Sequence, residues 1–101
     1  MKTTALILLS LIASNASAQS IEKGGAFCMS QDLMEQAITA ITSKPQDMNA
    51  LEYLVNNGCS TAREQFPITV LGNPTNQISH VRMYNGSQSE EAWIFTHQIV
   101  D

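Results

Sequence analysis

Few side chains in this sequence are able to do chemistry. They are two histidines, His80 and His97, two cysteines, Cys28 and Cys59, and one adjacent carboxylate pair, Glu90-Glu91. A nucleophilic thiol needs a base beside it, and both histidines lie far along the chain from Cys28 and from the start of any element that carries it. Cysteines separated by about 30 residues also lack the close spacing of zinc-ligand pairs. His80 and His97 could meet across neighbouring strands, but two imidazoles without a further ligand make an incomplete metal site. Glu90-Glu91 reads as a solvated acidic tip of a turn rather than a general acid–base pair. No G-x-S-x-G, H-E-x-x-H, phosphate-binding loop or C-x-x-C is present. Met29, Met34 and Met48 are read as core filling. The expectation is therefore a protein with no catalytic residue, no cofactor and no metal.

The N-terminal residues say where such a protein works. Met1-Lys2 gives a positive start, Ala5 to Ala13 is almost wholly apolar, and Ala16-Ser17-Ala18 has the small-x-small pattern of a cleavage site. That order is a secretory signal peptide, residues 1–18. The apolar stretch covers about 13 Å as a helix, short of the roughly 30 Å of a bilayer's hydrocarbon. Membrane insertion after cleavage is not expected, and the destination is periplasmic or secreted. Residues 19–101 keep four Lys/Arg against nine Asp/Glu, a formal charge of −5, and form one small domain. An acidic chain without a basic cluster argues against nucleic acid as a partner. Asn85-Gly86-Ser87 matches a glycosylation sequon, but beside a bacterial-type signal it is read as a turn.

An oxidising destination makes Cys28 and Cys59 expected disulfide partners. The sequence between them gives a second reason. Ser30 is an N-cap followed by Asp32 and Glu35, and Leu33, Met34, Ala37, Ile38 and Ile41 form one apolar helix face. Ser43-Lys44-Pro45 ends that helix. Asp47 caps a second, with Ala50, Leu51, Leu54 and Val55 on one face, and Asn57-Gly58 closes it. Two such helices joined by a short turn run antiparallel, as a helical hairpin over 30–58, and bring Cys28 near Cys59.

The remainder reads as a three-stranded antiparallel β-meander over 67–100. Its strands are Ile68–Leu71, Ile78–Tyr84 and Ala92–Gln98, with polar residues after Asn85-Gly86-Ser87 extending the second turn to Glu91. The expected class is thus α+β, a disulfide-linked α-helical hairpin packed on a three-stranded meander. Either face of the meander could be the covered one. Val81, Met83 and Ile94 lie on one; His80, Arg82, Tyr84, Trp93, Phe95 and His97 lie on the other. If the second is exposed, its Arg, Tyr and Trp have the composition of an interface hot spot; if covered, Trp93 and Phe95 are core.

Leu71, Val81-Arg82-Met83, Asn85-Gly86, Trp93-Ile94 and the closing Ile99-Val100 resemble the end of a bacterial SH3-like domain. The likeness spans about 35 residues, and Ala92 stands where that pattern has a glycine before the tryptophan. The wider order, a cysteine before one helix, Gly58-Cys59 after a second, then β-strands, is similar to small exported bacterial proteins of unassigned function. The resulting expectation is a non-enzymatic binding protein that docks on another envelope or secreted protein, of inhibitor, immunity or adaptor type. The SH3-like resemblance implies an alternative, a module recognising peptidoglycan or its stem peptide.

Overall fold

The computed structural model describes residues 19–101; the expected signal peptide and its cleavage point lie outside the described residues. Five segments are long enough to read as strands or helices, and several very short ones complete them. The elements are β1 (Gln19–Ile21), β2 (Ala26–Cys28), α1 (Gln31–Thr42), α2 (Met48–Asn56), β3 (Cys59–Thr61), β4 (Phe66–Gly72), β5 (Ile78–Asn85), β6 (Gln88–Phe95), a 3-10 turn (Thr96–Gln98) and β7 (Ile99–Val100). All strands join one seven-stranded antiparallel sheet in the order β3-β2-β6-β5-β4-β1-β7.

That sheet corrects the expected architecture of a helical hairpin on a three-stranded meander. Strands β1, β2 and β3 have three residues each and β7 has two. Elements so short complete no readable alternation of polar and apolar residues. Two boundaries also change. Gln88–Glu91, expected as loop, is the first half of β6, because Asn85 and Gln88 pair directly and leave only Gly86 and Ser87 in the turn. Gly86 has φ +65° and no other residue of that turn has positive φ, the pattern of a II′ turn with glycine first. Thr96–Gln98, expected as strand, is the 3-10 turn.

Local chemistry sets the helix ends. Ser30 Oγ accepts from Leu33 N at 3.2 Å to start α1, and Asp47 Oδ1 accepts from Ala50 N at 3.0 Å to start α2. After α2, Gly58 takes φ +122°, a left-handed conformation that turns the chain into β3. Cys28 and Cys59 then lie directly opposite in β2 and β3, with Cα atoms 4.0 Å apart, and are joined as a disulfide.

Only Glu22–Gly25 separate β1 from β2, yet these strands stand four places apart in the sheet. Four inter-strand gaps span about 19 Å in a flat sheet. The link includes a tight turn, Gly25 N donating to Glu22 O at 3.0 Å, and cannot reach that far. The sheet is therefore curled. Its inner face carries Ile21, Ile68, Val81, Ala92 and Ile94 in one core with Phe27, Phe66, Met83 and Ile99. On the outer face Met34, Ala37 and Leu54 of the helices pack with Cys28 and Ile78, and Trp93 and Phe95 lie against them. Both faces are thus used, one by curling and the other by helices at one end.

Candidate binding site

Three strands build the outer face beyond the helices. In the β5–β6 ladder Ile78 faces Phe95, His80 faces Trp93, Arg82 faces Glu91 and Tyr84 faces Ser89. Thr69 of β4 faces Arg82 from the other side. Directly opposed residues share a sheet face, so these side chains form a continuous row. The row begins where the helices end. Trp93 and Phe95 are half-buried beside them, and the polar part continues toward the β5–β6 turn.

Hydrogen bonds hold the polar part in place. A carboxylate only accepts, so Nε2–H of His80 donates to Oε1 of Glu91, at 2.8 Å, while Nη2 of Arg82 donates to Oε2 at 3.1 Å. Nη1 of Arg82 also donates to Ser89 Oγ at 3.1 Å. The His80 ring stacks on Trp93 with centroids 4.3 Å apart and planes within 8°. Tyr84 and Thr69 hydroxyls are 3.1 Å apart. One carboxylate thereby fixes two side chains, one of which rests on the half-buried indole.

The structure brings together five of the six residues selected from sequence. His80, Arg82, Tyr84, Trp93 and Phe95 share this row, with Trp93 and Phe95 packed on the helix side. His97 leaves the sheet with the 3-10 turn and stacks on Phe95 instead, at 5.6 Å between centroids. Each histidine therefore has its own aromatic partner. Among the described residues no three His, Cys, Asp or Glu side chains gather where they could hold a metal. Sequence reading missed Glu91, the centre of the network, because it placed that residue in a turn. The available signal was Gly86-Ser87, since a two-residue turn with glycine first there pairs Asn85 with Gln88 and puts Glu91 opposite Arg82.

A second feature lies on the inner face near the β5–β6 turn. A groove of about 690 Å³ has Phe27, Phe66, Met83 and Ala92 on its walls, with Glu90 and Arg63 among its polar lining. Neither charged group has an ion-pair partner among the described residues. The flanking strands β2 and β3 are too short to read from sequence, so nothing brought Phe27 and Phe66 together beforehand.

Comparison of the chain with protein-family models, curated proteins and solved structures gives no match. The described chain contains the Cys28–Cys59 disulfide, and none of its helices is long and apolar enough to cross a membrane.

Proposed function

We propose that this is a small periplasmic or secreted binding protein without enzymatic activity, docking on another envelope or secreted protein. The observation that carries the reading is the row in which Glu91 fixes His80 and Arg82 beside Trp93. Binding loses free energy when long side chains must be ordered, and groups already held in place lose less of it. Arginine, tyrosine and tryptophan are also the residue types that dominate interface energetics. The disulfide supports an oxidising destination. A net charge of −5 outside the first 18 residues favours a basic protein partner.

The test is affinity capture from envelope extract and culture fluid with the immobilised protein. One stoichiometric partner is expected, lost with Arg82→Ala or Tyr84→Ala. These variants are preferable to Trp93→Ala, because Trp93 also packs against the helices. A partner retained equally by all variants removes this surface from the reading, and capture of nothing removes protein binding.

The cell-wall alternative has one specific support. The segment resembling SH3-like domains spans β4 to β7, and its closing pair, Ile99-Val100, returns to pair with β1. Retention on purified sacculi, with no protein captured, would favour this second reading.

A further inference from the structure

The outer edge of β6 is incomplete. Strand β2 pairs with β6 only through Phe27–Ile94 and Cys28–Trp93, after which the chain turns away into α1. The β6 segment Gln88–Glu91 pairs with β5 on one side and has no strand on the other among the described residues. The phase of the ladder tells which backbone groups are left. Thr96 N donates to Gln77 O at 2.9 Å. Bonding to β5 alternates along β6, so Ile94, Ala92, Glu90 and Gln88 turn their amides toward β5. Trp93, Glu91 and Ser89 turn theirs away. Trp93 meets Cys28; among the described residues Glu91 and Ser89 meet no strand.

This open edge borders the inner-face groove. Met29, Ser89, Glu90 and Ala92 all line it. An extended chain laid along the edge would bond to the free N–H and C=O groups of Ser89 and Glu91. Its alternate side chains would fall on the groove side, over Ala92 and beside Met29 and Glu90. The charge pattern selects among occupants. On the β6 edge itself the Glu90 carboxylate has no ion-pair partner among the described residues; Arg63, the other unpaired charge lining the groove, belongs to the β3–β4 link and not to β6. Pairing of this edge with a second copy of itself would set Glu90-Glu91 of one chain against Glu90-Glu91 of the other, and like charges across a strand pair repel. A strand carrying basic side chains at alternate positions gains where a second copy loses.

We propose that the open edge of β6 accepts an extended basic segment of a partner protein as an added antiparallel or parallel strand. This rests on the reading of the molecule as a protein-binding module and names the segment it would recognise. Once seated, that segment occupies the lane that β2 vacates. Main-chain bonds to Ser89 and Glu91 supply the hold, and a basic side chain beside Glu90 supplies the preference.

The probe is a capped peptide of alternating valine and lysine, titrated into the disulfide-intact protein while backbone amide exchange is followed by NMR. The Ser89 and Glu91 amides are expected to slow by roughly tenfold or more at saturation, with the β5-facing Glu90 amide little changed. N-methylation of the peptide at alternate residues, in the frame that faces β6, should weaken binding roughly tenfold or more by removing main-chain bonds. Exchanging lysine for glutamate should abolish it, and Glu90→Gln should weaken it about two- to fivefold. Peptide binding that leaves Ser89 and Glu91 unprotected, or that tolerates N-methylation in both frames, overturns the proposal. Absence of peptide binding overturns it too. Each of these failures leaves the capture experiment above standing as the separate test of protein binding itself.

Discussion

Glu91 shows how one side chain organises a surface while adding little to stability. It bonds His80 and Arg82 at once, but Glu91 is 47% exposed and Arg82 37%. Exposed pairs of this kind contribute at most about 1 kcal/mol. Glu91→Ala is therefore expected to leave the urea midpoint nearly unchanged, while partner affinity falls by about tenfold as His80 and Arg82 lose their orientation. An equal loss of stability and affinity would mean that the network serves the fold. Gly58 behaves oppositely. At φ +122° an added Cβ is strained, and it would stand 2.9 Å from Leu33 Cδ1. Gly58→Ala should cost about 1–3 kcal/mol, read as a lower denaturation midpoint with the slope unchanged. Both residues lie outside the partner-binding row chosen from sequence, for different reasons. Gly58 was legible as a helix stop because its chemistry is local. Glu91 was not, because its role depends on which residue of β5 stands opposite.

Elements divide in the same way. The helix caps at Ser30 and Asp47 were legible, since a cap needs only residues within three positions of itself. The central strands β4, β5 and β6 are seven or eight residues long, and their cores were legible from β-branched and aromatic runs. Strands β1, β2, β3 and β7 were not, since a segment of two or three residues becomes a strand only through a partner distant in sequence. The disulfide divides along the same line. Its pairing and its place just outside the two helix ends followed from export and from the helices between the cysteines, but that the two residues also pair in adjacent strands β2 and β3 did not. It closes a separation of 31 residues, which the chain-entropy account values at about 3.5–4 kcal/mol. Reduction, or Cys28→Ala with Cys59→Ala, should destabilise by about that amount. Cys28 and Cys59 pack with Met34 and Leu54, so amides of α1 and α2 should lose exchange protection before those of β5. Simultaneous loss throughout would show the helices and sheet to be one cooperative unit.

At the scale of the molecule, sheet closure decides what is inside. The inner core draws Phe27 from β2, Ile94 from β6, Val81 from β5, Ile68 from β4, Ile21 from β1 and Ile99 from β7. Six neighbouring strands can share one cluster only because the short β1–β2 link bends the sheet. Strand β7 completes that bend. It pairs Ile99 with Ile21 and Val100 with Ser20, the sole strand on that side of β1 among the described residues. Removing residues 99–101 would take away those ladder bonds and the half-buried Ile99, and would leave Ile21, now fully buried, on an open edge. Burial of one isoleucine contributes about 1.5–3 kcal/mol when complete and less here, and each net hydrogen bond contributes about 0.5–1.5 kcal/mol. A loss of roughly 2–3 kcal/mol is expected on that basis, a large share of what a domain this small has. Amide exchange at Ser20 and Ile21 should accelerate first. The outer row of Arg82, Tyr84 and Glu91 lies three to four strands away from β7, so partner capture at low temperature should survive the truncation. An unchanged denaturation midpoint would mean that β1 and β7 close nothing. Loss of capture without loss of stability would instead move the binding surface to this end of the sheet.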